Sequence, residues 1–221
     1  HMAATVYNNR AYVIGGLDKQ VGIECQVYTS ENNSWLFEFP SLPKGRFNSV
    51  CFVYRDSLYV FGGTDNSSNM NEIVRYDLST QNSGEWTTIA KVNEANQRGG
   101  VAFVVEDKVY AGLGEKSNGI RNGFYVSSDS LTKWELIPSI PAQLGVISSG
   151  VYDEQKKSFF MIDNDGKIWE YNLTTEQWTS RSLWIRMKNY HMFMLDGSIY
   201  ILGQDIYQKN KFTVYNPIWD N

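Results

Sequence analysis

Leu58-Tyr59-Val60-Phe61-Gly62-Gly63 is an apolar and aromatic run that ends on two glycines. A short run of this kind bounded by glycine predicts a buried strand, and the glycines indicate a strand exit at which a Cβ would not fit. Related runs occur at residues 11–16, 109–114 and 199–203. One strand type that recurs along the chain predicts a repeat protein.

Composition limits the classes of protein to consider. The chain has 221 residues, a formal net charge of −4 and 14% aromatic residues. Without a basic stripe, nucleic acid is not predicted as a partner, because cationic contacts to phosphate supply most of that affinity. No apolar run approaches the roughly 20 residues that cross a bilayer, so no membrane span is predicted. Short aromatic and β-branched runs between Gly, Asn, Asp and Ser clusters predict an all-β fold.

Five units of similar design follow one another, and three aromatic landmarks recur in them. The second-strand aromatics are Tyr12, Tyr59, Tyr110, Phe160 and Tyr200. The third-strand tyrosines are Tyr28, Tyr76, Tyr125, Tyr171 and Tyr215. The fourth-strand tryptophans are Trp35, Trp86, Trp134 and Trp178. Periods of about 40 to 50 residues with four strands each are typical of propeller blades.

The second unit carries the fullest version of the pattern: Arg46, then residues 59–63, then Tyr76-Asp77 and Trp86. This pattern resembles the kelch repeat, and the resemblance covers essentially the whole chain, although units four and five lack the double glycine. It implies a single kelch-type β-propeller domain over residues 3–221, after an expression scar at residues 1–2. The expected blades are residues 3–43, 44–92, 93–141, 142–183 and 184–221. The ring is expected to have five blades, or to be an incomplete ring of six.

Several residues are predicted to be structural positions of the repeat. A small residue is needed where backbones approach closely at a strand exit, and large rings fill the space between blades. These positions are Gly15, Gly16, Gly62, Gly63, Tyr28, Tyr76, Trp35, Trp86, Trp134 and Trp178. Unit five is expected to lack its outer strand unless residues 217–219 supply it. Unit one is expected to lack its lead-in, so that the ring would be completed by residues outside this sequence.

A candidate ligand site is predicted at the lead-ins to the first strands. Its residues are Arg46, Arg98, Arg186, Asn189, Tyr190, His191 and Glu115. Arginines converging there could hold a carboxylate in a bidentate way. The favoured alternative is that each arginine joins adjacent blades by bonding backbone carbonyls. The polar loops at 17–23, 64–71, 115–122 and 204–210 are expected on the same face, with Trp184 and Tyr207 nearby.

Catalytic, metal and cofactor sites are not predicted. His191 is the only histidine outside the scar and is matched to the apolar positions Ala3, Val50, Val101 and Val151, which favours a core or channel histidine. One histidine leaves a Ser-His-Asp triad with a single candidate base and no motif. Cys25 and Cys51 are too few for a disulfide scaffold, and Cys51 lies in an apolar run that predicts a buried thiol.

The favoured function is a non-enzymatic binding module that presents its loop face and channel mouth to a protein or carbohydrate. The alternative comes from resemblance to kelch-type sialic-acid mutarotases (N-acetylneuraminate epimerases). That resemblance implies an acidic sugar held by Arg46, Arg98 and Arg186, with a carboxylate such as Glu115, or His191, assisting ring opening as acid or base. The chain is also expected to be a module of a larger multidomain protein. Sequons at Asn32, Asn66 and Asn172 favour a secreted or periplasmic location.

Overall fold

The computed structural model describes residues 2–80, 82–117, 123–128, 130–138, 140–181, 187–205 and 207–215, without the side chains of residues 37, 128 and 148. The all-β prediction is confirmed, because strands dominate and the helical elements of these residues are two 3₁₀ turns, Leu78–Thr80 and Asn93–Ala95. The chain divides into two compact units, residues 1–136 and residues 137–221. The helical turns of the described ranges are far too short to span a membrane.

Unit 1 contains three antiparallel sheets of four strands, each strand paired with the next along the chain. Sheet 1 consists of β1 (Ala3–Tyr7), β2 (Arg10–Ile14), β3 (Cys25–Thr29) and β4 (Ser34–Phe39). Sheet 2 consists of β5 (Val50–Tyr54), β6 (Ser57–Phe61), β7 (Glu72–Asp77) and β8 (Thr87–Lys91). Sheet 3 consists of β9 (Val101–Val105), β10 (Lys108–Gly112), β11 (Phe124–Ser128) and β12 (Glu135–Leu136).

Unit 2 contains two antiparallel sheets of the same design. Sheet 4 consists of β13 (Ile147–Asp153), β14 (Ser158–Asp163), β15 (Ile168–Asn172) and β16 (Gln177–Arg181). Sheet 5 consists of β17 (Lys188–Leu195), β18 (Ser198–Gln204) and β19 (Asn210–Tyr215). The fourth strand considered at residues 217–219 lies outside the described residues.

Two-residue turns join the first two strands of sheets 1 and 2. Asn8 and Asn9 have φ of 47° and 58°, and Arg55 and Asp56 have φ of 47° and 55°. Two consecutive left-handed residues are the geometry of a two-residue hairpin turn, whose twist matches that of the flanking strands. Each hairpin therefore fixes the register of its sheet.

Each sheet has a forward face, which carries the second-strand aromatic, and an opposite rear face. In unit 1, Tyr12, Ile14 and Val27 on the forward face of sheet 1 are buried with Leu58, Val60 and Val74 on the rear face of sheet 2. The forward face of sheet 2 is buried in the same way against the rear face of sheet 3. In unit 2, the forward face of sheet 4 is buried against the rear face of sheet 5. Forward-to-rear packing therefore repeats in both units.

The tyrosine and tryptophan landmarks meet on adjacent strands in three sheets. Tyr28–Trp35 and Tyr76–Trp86 have ring centroids 5.4 Å apart, and Tyr171–Trp178 have centroids 4.9 Å apart. Sheet 3 departs from this prediction. There Ser127 pairs with Val109, as Tyr76 pairs with Leu58, so Tyr125 lies two residues before the landmark position. The ring of Trp134 instead contacts that of Phe61 in sheet 2, with the ring centroids 5.2 Å apart.

Candidate functional site

At one end of the unit 1 sheets, the loops after the second strands meet the segments that lead into the first strands. We call this the loop edge; it comprises residues 15–22, 44–49, 62–71, 95–99 and 113–117. Backbone hydrogen bonds connect neighbouring sheets along it: Gly16 N donates to Arg46 O (2.9 Å) and Gly63 N donates to Gln97 O (2.8 Å). The backbones of Arg98 and Glu115 exchange two further bonds, of 3.0 and 2.9 Å. The edge is thus a hydrogen-bonded scaffold for the side chains it carries.

Paired glycines make this close contact possible. Gly62 has φ of +61°, and a Cβ added there would overlap the carbonyl oxygens of Ala95 and Gln97. Gly15 has φ of +62°, and its added Cβ would overlap the carbonyl oxygen of Arg46. The lead-in of the next sheet therefore occupies the space that a side chain would need at the strand exit.

Arg46 is a buried arginine at the loop edge. Its Nη1 donates to the carbonyl oxygen of Gly62 at 3.1 Å, and its Nη2 donates to the Glu72 carboxylate at 3.3 Å. Burial lowers the pKa of the guanidinium, while the neighbouring Glu72 opposes that shift. Since the guanidinium is covered and paired within sheet 2, it presents no surface to a ligand in this arrangement. Ligand binding by Arg46 stays a prediction.

Gln97, rather than Arg98, occupies the position of Arg46 in the third repeat. Each lies four residues before the first strand, and each accepts a backbone hydrogen bond from a glycine of the preceding sheet. Arg98 therefore lies in the lead-in of the third repeat, one residue after the counterpart of Arg46. Gln97 is buried; its Oε1 accepts from Gly114 N (2.9 Å), and its Nε2 has no hydrogen-bond partner.

Arg98 and Glu115 are two predicted site residues that the structure brings together. Arg98 Nη2 donates to Glu115 Oε2 at 3.2 Å, and 49% of the Arg98 side chain is exposed. Asn69, from the loop of sheet 2, donates to the Glu115 backbone oxygen at 2.9 Å. Contacts from sheets 2 and 3 therefore hold the pair in place, and the guanidinium of Arg98 is accessible to a binding partner.

A second ion pair, Lys44–Asp65, lies on the same edge, and the sequence analysis did not select it. Lys44 Nζ is 2.8 Å from Asp65 Oδ2, and the other carboxylate oxygen accepts from the backbone N–H groups of Ser67 and Ser68 at 3.0 Å. The bond from Lys44 and those from the serines hold the pKa of Asp65 well below its usual range. An Asp that opens a turn of the form Asp-x-Ser-Ser was the available signal.

The predicted site residues of unit 2 lie in different environments. Tyr190 is buried, and its hydroxyl accepts from Met187 N at 2.9 Å; burial raises its pKa. Asn189, with φ of +55°, donates to Gln204 Oε1 at 3.0 Å. Arg186 and Trp184 lie outside the described residues. Ligand binding by these residues stays a prediction.

His191 is exposed on β17 and is therefore not a core histidine. It pairs with Leu202 as Ser149 pairs with Ile162, so its counterpart in sheet 4 is Ser149, whereas Val151 corresponds to Phe193. The alignment of His191 with Val151 is wrong because the turn at residues 154–157 of sheet 4 is two residues longer than the turn at residues 196–197 of sheet 5. The strand registers do match His191 with Ala3, Val50 and Val101.

A cavity of about 630 Å³ lies beside the second and third strands of sheet 1. Asp18, Lys19 and Gln20 of the loop line it, together with Glu24 and Gln26. A polar loop is predicted at residues 17–23, whereas no pattern in the sequence indicates the cavity. Its lining also includes the apolar side chains of Met2, Val13 and Leu17, and none of its lining residues has a buried, unpartnered group that points to a particular ligand.

The described part of the chain contains neither a group of metal-binding side chains nor an ionised thiol. No group of three His, Cys, Asp or Glu side chains there could hold a metal ion. Cys25 and Cys51 are buried and free, and the predicted burial of Cys51 is confirmed. Burial raises the pKa of Cys25 to about 12 and raises that of Cys51 as well, so both remain protonated thiols at neutral pH.

The comparisons with known proteins fit these observations. Residues 45–93 match the family model of the Kelch motif. The solved structure of YjhT superposes with a TM-score of 0.78 over 97% of this chain and 83% of that one, at 17% sequence identity. The chain is a kelch-repeat β-propeller. The resemblance stated from the sequence is confirmed, and so is the fold class.

Curated relatives of this kelch-repeat chain are longer proteins. Kelch-like protein 36 of Mus musculus is 26% identical over 161 residues, which are 67% of this chain and 25% of that protein. Kelch repeat and BTB domain-containing protein 1 of Ectromelia virus (strain Moscow) is 25% identical over 227 residues, which cover 97% of this chain and 39% of that protein. The chain therefore spans about a quarter to two fifths of the length of these relatives.

Proposed function

We propose that this kelch-repeat chain is a non-enzymatic interaction module whose loop edge binds a protein partner. The observation that carries the proposal is the pair of accessible cations, Lys44 and Arg98, each held by a carboxylate on a hydrogen-bonded edge. Kelch repeats commonly serve protein interaction, which adds a fold-level analogy.

The physical argument rests on the cost of ordering a binding surface. Side chains that are already held in place lose less conformational freedom on association, so more of the contact energy appears as affinity. The loop edge meets this condition, because Asp65 is fixed by two backbone donors and Glu115 lies in a backbone bridge with Arg98.

The charge pattern favours a protein over a strongly anionic partner. Lys44 is paired with Asp65 and Arg98 with Glu115, so positive and negative groups alternate along the edge. Such a surface matches a partner that carries both signs of charge in register, and it gives specificity and faster association. The named relatives with further chain outside the matched region are consistent with a protein-binding module in a longer protein.

The second candidate is an enzyme of the sialic-acid mutarotase type. Its support is the Arg98–Glu115 pair, which places a carboxylate-binding guanidinium 3.2 Å from a carboxylate that could move a proton. Arg46, the other described arginine expected for an acidic sugar, is buried and bonded to Gly62 and Glu72. The support is therefore one of the three arginines expected to hold an acidic sugar, since Arg186 lies outside the described residues.

A charge-reversal experiment tests the first candidate. The purified chain is immobilised, its partner is captured from a lysate by cross-linking, and the isolated partner is then titrated against Arg98→Glu and Arg55→Glu. Arg55 is the matched control, because it pairs with Asp107 at 3.3 Å at the opposite strand ends. We expect affinity to fall about tenfold or more in Arg98→Glu and to be nearly unchanged in Arg55→Glu. Equal losses, or none, would contradict the proposal.

A sugar titration separates the two candidates. N-acetylneuraminate should leave the thermal unfolding midpoint of the chain unchanged if the loop edge binds only protein. A rise of several degrees that disappears in Arg98→Ala would instead support the acidic-sugar candidate, since a ligand of the folded state stabilises it by mass action. Anomer exchange followed by NMR would then distinguish a lectin from a mutarotase.

A further inference from the structure

Sheet 2 holds a carboxylate between its lead-in and a lysine. Glu72, the first residue of β7, accepts from Arg46 Nη2 at 3.3 Å, and its other carboxylate oxygen lies 3.5 Å from Lys91 Nζ. The Arg46 side chain is fully buried, and 23% of the Glu72 side chain is exposed. A donor from the lead-in and a lysine of the same sheet therefore hold one carboxylate at the loop edge.

The same position in sheet 3 is a glycine. Strand registers place Ile73 opposite the last residue of β6 and Phe124 opposite the last residue of β10, so Gly123 corresponds to Glu72. A Cβ added to Gly123 would overlap the hydroxyl of Tyr125, so the tip of that ring lies where the Glu72 side chain begins in sheet 2. Residue 123 therefore supplies no carboxylate to the lead-in of sheet 3.

Gln97, the counterpart of Arg46, carries a buried donor that the described protein does not use. The residue is 1% exposed, and its Oε1 accepts from Gly114 N at 2.9 Å. Because a backbone N–H must meet an oxygen, this bond fixes which end of the amide is the nitrogen. Within the described ranges, Nε2 has no hydrogen-bond partner. A buried donor is costly unless an acceptor reaches it, so this amide indicates a ligand that accepts hydrogen bonds.

Lys116 and Tyr125 bring two further donors to the same strand exit. Leu113 N donates to Gly123 O at 2.7 Å, so the segment that bonds Gln97 lies against the segment that carries Tyr125. Lys116 Nζ donates to the Tyr125 hydroxyl at 3.4 Å, and the hydroxyl proton and the other ammonium protons have no acceptor among the described residues. Both side chains are half-buried, so a solute can reach them from solvent.

We propose that Gln97 Nε2, Lys116 Nζ and the Tyr125 hydroxyl bind the carboxylate of a small organic acid, where sheet 2 has the carboxylate of Glu72. A carboxylate fits these donors, because its two oxygens accept several hydrogen bonds at once and the lysine offsets its charge. Sheets 2 and 3 then share one arrangement, in which a lead-in donor and a lysine surround a carboxylate. The position is that of the end of one side chain, so a short acid such as acetate is the expected ligand.

This site is separate from the two ion pairs of the loop edge. The carboxylate of Glu115, next to Lys116 in the chain, is bonded to Arg98 at 3.2 Å, and that of Asp65 to Lys44 at 2.8 Å. None of the three proposed donors belongs to either pair. Loss of the acid site would therefore leave the proposed protein partner untouched, and the reverse also holds.

The first test titrates the ¹⁵N-labelled chain with acetate at constant ionic strength and follows the side-chain amide signals of Gln97 by NMR. These signals are identified by their loss in Gln97→Glu, which keeps an acceptor for Gly114 N. We expect a saturable shift with a dissociation constant of about 1–10 mM, since a ligand of so few atoms binds weakly. Acetamide, the neutral isostere, should produce no comparable shift. Equal shifts with both compounds, or none with either, would overturn the proposal.

Variants of the two half-buried donors test the same site without touching a fully buried residue. Lys116→Gln should weaken acetate binding about tenfold because it removes the charge, and Tyr125→Phe should weaken it about threefold or more because it removes one donor. Lys108→Gln is the matched control, since Lys108 is exposed at the other end of β10. Its acetate affinity should equal that of the wild type. An unchanged affinity in Lys116→Gln, or equal losses in both lysine variants, would contradict the assignment.

The second test builds the carboxylate into the chain. Tyr125 corresponds to Val74, so Gly123→Glu combined with Tyr125→Val reproduces in sheet 3 the Glu72 and Val74 of sheet 2. We expect the Gln97 amide signals to take their acetate-saturated positions without acetate, and the thermal midpoint to rise. Gly123→Gln combined with Tyr125→Val has the same shape without the charge and should show neither change. Identical amide positions in the two double variants would overturn the proposal.

Discussion

The loops that follow the second strands are closed by different contacts in unit 1 and in unit 2. In unit 1, glycine pairs leave room for the lead-in of the next sheet, and the loop edge carries two accessible ion pairs. In sheet 4 of unit 2, the exit has Asp163 instead. Its buried carboxylate accepts from Trp169 Nε1 and from the backbone N–H groups of Asp165 and Lys167, at 2.9–3.0 Å.

This difference distinguishes a loop closed by its own side chain from loops closed by the backbone of the neighbouring sheet. Asp163 closes its loop onto itself, which leaves a short hairpin with few side chains to offer. The glycine exits are closed by neighbouring backbone, so the longer loop of residues 64–71 is free to carry Asp65 and Asn69. Binding is therefore proposed for the loop edge of unit 1, where the supporting bonds do not consume the side chains.

The largest expected effect is that of Arg46→Ala. It removes a fully buried side chain together with its bonds to the part-buried Glu72 carboxylate and to the Gly62 carbonyl, and the cavity and the lost hydrogen bonds should cost about 3–5 kcal/mol. Arg98→Ala should cost less than about 1 kcal/mol, because the Arg98 pair is half exposed. Urea unfolding of both variants measures the difference. Similar losses in the two would mean that the buried and exposed positions do not differ in role.

Gly62→Ala should be the next most disruptive change. The added Cβ would overlap the carbonyl oxygens of Ala95 and Gln97, and a side chain at φ of +61° adds backbone strain. Together these effects should lower the free energy of unfolding by about 2–4 kcal/mol. Gly99→Ala is the matched control, because Gly99 has φ of +71° and no atom within 4 Å of an added Cβ. It should cost only about 1–2 kcal/mol of backbone strain. If both variants unfold at the same urea concentration, close backbone approach is not the reason for the glycine pair.

Asp163→Ala tests whether the Asp163 carboxylate is needed to close the hairpin that follows β14. It leaves the buried Trp169 N–H and two backbone donors without their acceptor, which we expect to cost about 2–3 kcal/mol. Asp165→Ala, in the same hairpin but exposed, should change stability by less than about 0.5 kcal/mol. Thermal unfolding followed by tryptophan fluorescence compares the two. A small effect of Asp163→Ala would show that the hairpin closes without its carboxylate.

The sequence was sufficient for the fold because the fold depends on features that repeat. Apolar runs such as residues 58–63 and turn pairs such as Asn8-Asn9 recur with the same chemistry, so each copy supports the others. The candidate site was harder to predict because its residues lie in irregular segments. Arg46 and Arg98 both lie in lead-ins, whereas only the backbone bonds to Gly16 and Gly63 reveal that Gln97, rather than Arg98, is the counterpart of Arg46.

Strand register, and ion pairs between residues distant in sequence, limited the other predictions. Tyr125 and His191 were assigned by counting residues, and an offset of two keeps a side chain on the same face while changing its neighbours. Lys44–Asp65 joins a lead-in to a loop across 21 positions of sequence, and no local pattern indicates such a contact.

The smallest expected effect concerns the pH dependence of the loop edge. The folded-state pKa of Asp65 is depressed, so its contribution to stability is present above its unfolded pKa, about 3.9, and is lost as pH falls from there through the folded value. The stability difference between the wild type and Asp65→Asn should therefore be largest at neutral pH and shrink steadily below about pH 4. Asp107→Asn, at the opposite strand ends, is the comparison, since its carboxylate is mostly exposed beside Arg55. Urea midpoints measured at several pH values decide the outcome. A difference for Asp65→Asn that stays constant with pH would show that the carboxylate is not held by Lys44 and the serine N–H groups, and the loop edge would then lack one of its two fixed ion pairs.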